Sequence, residues 1–225
     1  MRILAIDTAL ANCAVALVEG QHGDVCLARV DDHIGRGHAE RLIPLIDQVL
    51  DEAKLTLQDV DRVAVTAGPG SFTGLRVGLS VARGFGLVIQ KPVVGISTLS
   101  AIAQGTELDQ SDRQLFVALT GKGEEIYCQT FGPGRTPVSE ACVQKLSELG
   151  SFLTKDTLLA GSAAASVATA LGVSRDQILN ELAFPDILDV AALGALADPK
   201  EALAVPLYLR PADATPQKKG RILRA

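Results

Sequence analysis

The stretch that most constrains the fold is VAVTAGPGSFTGLRVGLSVARGFG, Val63 to Gly86. DRVAVT reads as a strand, AGPGS as a loop and Phe72 to Ile89 as a helix. A strand entering a long helix through a glycine turn is the unit of a layered α/β fold. Within the helix Gly74, Gly78, Ala82 and Gly86 recur every fourth residue and form one stripe. An interior helical glycine costs about 0.8–1 kcal/mol relative to alanine, so three cost roughly 2–3 kcal/mol. A groove of small residues offsets that when a second backbone packs very close. That backbone belongs either to the chain's own Leu42–Lys54 helix or to a partner.

The loop Gly68-Pro69-Gly70-Ser71 matches neither familiar phosphate cradle. A P-loop needs a lysine after its last glycine, and a dinucleotide turn needs glycine where Thr73 stands. Ser71 or Thr73 caps the helix, and the remaining amides either bind an anion or are satisfied by the cap alone. Ser71 lies in no G-x-S-x-G elbow.

Around this centre, RILAID, CAVALVEG and VCLARV read as three strands joined by short turns, an antiparallel meander. HAERLIPLIDQVLDEAKL carries apolar residues at helical spacing, among them Leu42, Leu45, Ile46 and Val49. Pro44 implies that the regular helix starts near Leu42 or kinks there. PVVGIS is a further strand and Thr98 to Gln104 a short helix. The polar stretch at 105–114 divides the chain into residues 1–104 and 105–225. Beyond it LFVALT and EEIYCQTFG form a hairpin through Gly121-Lys122-Gly123, TLLAG is a strand, SAAASVATALG and DVAALGALA are helical, and AVPLYLR is extended. Strand-rich openings at 2–30 and 115–131, each followed by strand and helix alternation, are what two similar α/β halves leave behind.

Hydrophobic residues make up 48% and charged residues 21%, which excludes a disordered chain. Aromatics are 4% with no Trp, which argues against stacking platforms for single-stranded nucleic acid. The net charge of −5 argues against nucleic-acid binding by this chain alone. The basic tail from about residue 212 reads as a flexible, solvated end. Cys13, Cys26, Cys128 and Cys142 form no C-x-x-C and read as reduced thiols. Asp7 comes too early for a signal peptide, and Arg76 and Arg83 interrupt the longest apolar run; these point to a cytoplasmic protein without a membrane span. His22, His33 and His38 form no zinc-hydrolase pattern. Asp7 and Thr8, at the end of the first strand, stand where actin-like folds keep a Mg-nucleotide aspartate. With Gly68, Gly70 and Ser71 they make up a candidate nucleotide site, although a strand-end Asp before a turn is also common on structural grounds.

RILAIDTA, HAERLIPLIDQVL, VAVTAGPGSFTGLRVGLSVARGFG, PVVGISTLSAIA and VPLYLR together resemble the TsaB (YeaZ) family of bacterial tRNA threonylcarbamoyladenosine biosynthesis subunits, also labelled glycoprotease-like or M22 peptidase-like. The specific motifs cover residues 2–104 and thin out towards Arg210. The resemblance implies an actin/Hsp70/sugar-kinase-like α/β fold of two ribonuclease-H-like lobes. It implies a non-catalytic subunit that pairs with a catalytic paralogue, TsaD, which transfers threonylcarbamoyl to N6 of adenosine 37 in tRNAs reading codons that begin with A. A TsaE-like ATPase joins them, the subunit alone forms a homodimer, and tRNA is reached only through the complex. It implies no cofactor of the chain's own and points to the assembled complex as the place for ATP or ADP. Where the paralogue carries an H-x-x-x-H metal pair, this chain reads Gly95-Ile96-Ser97-Thr98-Leu99-Ser100-Ala101, so no metal and no metallopeptidase activity are expected. The family's Asp-Ala-Arg-x-Gly-Glu-Val-Tyr hairpin reads Thr120 to Tyr127 here and keeps only Glu125 and Tyr127. The pairing face implied is a four-helix interface built on Leu42, Leu45, Ile46, Val49, Gly74, Arg76, Gly78, Leu79, Ala82, Arg83 and Gly86. The alternative is an independent Mg-nucleotide-dependent ATPase or kinase.

Overall fold

The computed structural model describes residues 1–108, 113–154 and 156–210. The basic tail lies outside them. Strands β1 (Arg2–Asp7), β2 (Asn12–Glu19) and β3 (Val25–His33) form the antiparallel meander. Helix α1 (His38–Ala53), β4 (Arg62–Gly68), α2 (Phe72–Ile89), β5 (Val93–Ser97) and α3 (Thr98–Gln104) follow. The first sheet has the order β3-β2-β1-β4-β5, with β4 parallel to both β1 and β5.

The second half repeats the opening on a smaller scale. Strands β6 (Leu115–Thr120), β7 (Glu125–Phe131) and β8 (Cys142–Lys145) run antiparallel, and β9 (Leu158–Ala160) adds parallel to β6, giving the order β8-β7-β6-β9. Helices α4 (Ala164–Leu171) and α5 (Ile187–Leu196) complete the described chain. A meander with a parallel strand added beside its first member, made twice, gives the two similar α/β halves expected from the sequence.

Layering explains the strand sequences. Helices α1 and α2 cover one face of the first sheet, where Leu4, Ile6, Val15, Leu17, Val63 and Val65 meet Leu42, Ile46, Leu75 and Leu79. Helix α5 covers the other face, packing Ile187, Val190 and Ala191 on Ile3, Ala5, Ala14 and Ala64. A strand buried on both sides is apolar throughout, which is why RILAI shows no alternation. Helix α3 packs on one face of the second sheet and α4 on the other. The two sheets fall on either side of residues 104–105, while α5, from the later half of the chain, returns to the first sheet.

Helix α1 starts at His38, ahead of the Leu42 start that is one of the two readings of Pro44, and Pro44 falls inside it. Pro44 lies on the exposed side, where solvent can satisfy the Glu40 carbonyl that loses its helical donor. The buried His38 ring fixes the helix start, its Nε2 lying 3.1 Å from the Asn12 carbonyl oxygen.

After α5 the chain runs as an extended strap. Gly95 N–H donates to the Ala202 carbonyl (3.0 Å) and Leu207 N–H to the Ala67 carbonyl (2.7 Å). Arg210 Nε lies 3.0 Å from the Glu125 carboxylate, so the strap reaches from the edge of the first sheet to the hairpin of the second.

Candidate functional site

At the C-terminal ends of β1 and β4, Asp7 and Thr8 are fully buried beneath the start of α2. Asp7 Oδ1 accepts from Ala9 N–H (2.9 Å) and from Thr66 Oγ1 (2.7 Å), while Oδ2 has no hydrogen-bond partner among the described residues. Burial pushes the Asp7 carboxyl up to about 6; the two hydrogen bonds and the nearby His38 oppose that rise without cancelling it. Thr8 Oγ1 donates to the Gly74 carbonyl (2.7 Å), tying the end of β1 to the first turn of α2.

The glycine loop is filled from within the chain. Ser71 N–H donates to the Ala9 carbonyl (2.7 Å), and Gly74 N–H donates to Ser71 Oγ (3.3 Å), so of the two candidate caps Ser71 is the one used. A Cβ at Gly70 would collide with the Ala9 carbonyl oxygen. Gly68, at φ +113°, has the Leu207 carbonyl oxygen of the strap against its other side. Backbone carbonyls lining a loop are acceptors and repel a phosphate. Asp7, Thr8, Gly68, Gly70 and Ser71 thus lie at one end of the sheet, each committed to the chain's own Ala9, Thr66, Gly74 or Leu207.

The small-residue stripe has the same inward destination. A Cβ at Gly74 would strike the Thr8 carbonyl oxygen, one at Gly78 the Thr8 hydroxyl, and one at Gly86 the Val93 side chain. Ala82 is fully buried, and Leu42, Leu45, Ile46, Val49 and Leu79 lie in the core between the helices and the first sheet. The close backbone that the stripe implies is thus the chain's own β1 end. Of the expected pairing residues only Arg76 and Arg83 are exposed. The reason is general: a helix on a sheet buries its most apolar, tightly packing face first.

The outward face of α2 is different and was not singled out from the sequence. Leu87 is 81% and Val88 68% exposed, and they continue a line through Arg76, Ser80, Arg83 and Gly84. A Cβ built on Gly84 meets nothing within 4 Å. By length and composition α2 could cross a bilayer, but its inner face is spent on the sheet. Beside it α1 exposes Ile43, Asp47 and Asp51. The signal in the sequence was that α2 is apolar beyond the stripe, at Leu87 and Val88.

At the N-terminal end of α2, the Arg76 guanidinium lies 3.8 Å over the Phe72 ring and its Nε donates to the Tyr208 hydroxyl (3.0 Å). Phe72 and Tyr208 stack at 5.3 Å between ring centres. Arg76 is thus committed to the strap as well as exposed. At positions 95–101, Ser97 caps α3 by accepting from Ser100 N–H (3.3 Å). Among the described residues no three His, Cys, Asp or Glu side chains converge as metal ligands. In the second lobe the Thr120–Glu125 turn is closed by Gly121 N–H donating to the Glu125 carbonyl (2.8 Å), and Thr120 N–H donates to Ser162 Oγ (3.0 Å).

The family described as tRNA N6-adenosine threonylcarbamoyltransferase (TsaD) matches residues 30–197. The tRNA threonylcarbamoyladenosine biosynthesis protein TsaB of Escherichia coli is 35% identical over 131 residues, 56% of this chain and 53% of that protein. The chain thus spans about half the length of the curated TsaB relatives it matches. An uncharacterized protein of Mycobacterium tuberculosis is 33% identical over 95% of this chain and 94% of its own. A solved Pseudomonas aeruginosa protein with similarity to peptidase YeaZ superposes with a TM-score of 0.77 at 25% identity, covering 93% of this chain and 99% of that one. The chain belongs to the TsaD-type threonylcarbamoyltransferase family, on its TsaB/YeaZ branch.

Proposed function

We propose that this chain is a non-catalytic subunit in the formation of N6-threonylcarbamoyladenosine on tRNA, and that it docks a TsaD-like catalytic paralogue through the outward face of α1 and α2. A TsaE-like ATPase joins the pair, and alone the chain forms a homodimer through the same face. The observation that carries this reading is Gly84. The other glycines of the helix are required by contacts inside the chain, whereas Gly84 weakens the helix by about 1 kcal/mol and nothing among the described residues needs it. A helix from outside, packing backbone to backbone beside Leu87 and Val88, would use that gap. Charge supports a two-fold arrangement: α1 offers Asp47 and Asp51, α2 offers Arg83, and a dyad sets each helix against its counterpart's neighbour.

Sedimentation of the purified chain, alone and mixed with the paralogue from the same organism, tests the reading. A self-dimer replaced by a one-to-one complex is expected. Gly84→Leu should weaken both associations at least tenfold in a folded protein and impair tRNA modification in the reconstituted system. Unimpaired pairing by folded Gly84→Leu would refute the docking face. The nucleotide-enzyme alternative has less support, because Ala9 and Leu207 carbonyls flank the loop it needs; Mg-ATP binding by the isolated chain, lost in Asp7→Ala, would revive it.

A further inference from the structure

The second lobe holds a feature that subunit docking does not use. Strands β7 and β8 pair antiparallel with Cys128 directly opposite Cys142, and the two sulfurs lie 3.6 Å apart. Directly opposed residues in an antiparallel pair have Cα atoms about 4.5–5.5 Å apart, inside the roughly 4.4–6.8 Å span that a disulfide bridges. Closing the pair needs side-chain rotation and no strand movement. The thiols differ in access. Cys128 is fully buried among Phe116, Ile126 and Ala164, whereas Cys142 is partly exposed on β8, the edge strand of its sheet. Burial, and Cys142 beside it, hold the Cys128 thiol well above the ordinary thiol range. No third ligand joins the pair among the described residues, so the two sulfurs do not make a metal site there.

We propose that Cys128 and Cys142 are a reversible dithiol–disulfide couple, a modification site on the second sheet that takes small disulfides of the glutathione type as oxidant. The accessible Cys142 reacts first. Its thiolate attacks one sulfur of oxidised glutathione, forming a mixed disulfide and releasing one glutathione thiolate, which takes up the proton lost by Cys142. Cys128 then gives up its proton and attacks the Cys142 sulfur, displacing the second glutathione, which leaves as the thiol. Two cysteine thiols are oxidised to one disulfide and one glutathione disulfide is reduced to two thiols. The bond staples the short edge strand β8 to β7. Burial of Cys128 makes the second step slow, and the fixed geometry of the pair makes it selective.

The full chain, fully reduced, would be incubated with oxidised glutathione at neutral pH, alkylated and analysed by intact mass and peptide mapping. The expected product lacks two hydrogen atoms, joins the peptides carrying Cys128 and Cys142, and reverts with dithiothreitol. Exposed Cys26 should carry only a glutathione adduct and serves as internal control. Cys142→Ser should abolish the cross-link. A product that stops at a Cys142–glutathione adduct with Cys128 still alkylable, or one in which both thiols alkylate freely while Cys26 is modified, would overturn the proposal. The mapping uses the unmutated chain, so the result does not depend on how the variant folds.

Discussion

Helix α2 carries glycine on two faces, and the two faces answer to different constraints. On the inner face Gly74, Gly78 and Gly86 touch Thr8 and Val93 so closely that no side chain fits. On the outer face Gly84 borders open space next to exposed Leu87 and Val88. The inner glycines serve the fold of one chain. The outer one is the gap that the proposed docking of a second chain would use. Spacing along the helix cannot tell these apart, since both sets satisfy the same geometric rule for close approach.

The largest effect that would test this contrast is on the inner face. Gly78→Leu forces its side chain into the Thr8 hydroxyl and breaks the Thr8–Gly74 hydrogen bond. Overpacking of this kind costs about 3 kcal/mol or more, so urea unfolding should show a strongly destabilised or unfolded chain. A native-like midpoint would mean that the stripe is not packed as described.

Asp7, beneath the same face, gives the next largest effect. Its folded carboxyl stands at about 6 against an ordinary 3.8, raised chiefly by burial. A raised carboxyl favours the folded state while it is protonated, so stability is full below pH 3.8 and falls as pH rises through about 6. The loss is on the order of 2–3 kcal/mol. Asp189 is also raised to about 6 by its partial burial and contributes a smaller loss in the same window. Asp7→Asn should flatten most of the slope in denaturation followed from pH 4 to pH 7. A slope unchanged by the substitution would assign it to other groups.

On the outer face the expected signs reverse. Gly84→Leu should leave the monomer as stable or up to about 1 kcal/mol more stable, yet weaken self-association and paralogue binding by tenfold or more, about 1.4 kcal/mol. Thermal melting and sedimentation of the same sample measure both quantities. The smallest effect is at the N-terminal end of α2. Tyr208→Phe removes the hydroxyl that accepts from Arg76 and keeps the ring stacked on Phe72. It should cost about 0.5–1 kcal/mol of stability and leave pairing intact. A pairing defect in Tyr208→Phe would extend the docking face to the strap.

Much of the fold was legible because its strongest local signals agree. The ends of α2 at Phe72 and Ile89 and of α3 at Thr98 and Gln104 follow from the glycine loop, the Ser71 or Thr73 cap and the apolar spacing between them. The meander and the Gly121–Gly123 hairpin follow from turn residues between apolar runs. Pro44 leaves two readings of α1, a start near Leu42 or a kink there; the helix in fact starts at His38, held by a tertiary contact with Asn12 that a local proline rule does not register. The site was harder to see. Whether Gly78 faces a strand or a partner depends on where Thr8 ends up, seventy residues away in the chain. Likewise, nothing in AVPLYLR announces that Leu207 will close the glycine loop.

Helix α5 has a consequence for how the chain comes off the ribosome. The face of the first sheet made by Ile3, Ala5, Ala14, Ala16 and Val18 is complete once β5 is made, but its cover, residues 187–196, follows only after the whole second sheet. In that interval the nascent first lobe presents a broad apolar surface with no α5 to seal it. Such a surface is what chaperones hold, and a fragment ending at residue 104 would keep it permanently. Helix α5 therefore decides when the first lobe becomes a finished object.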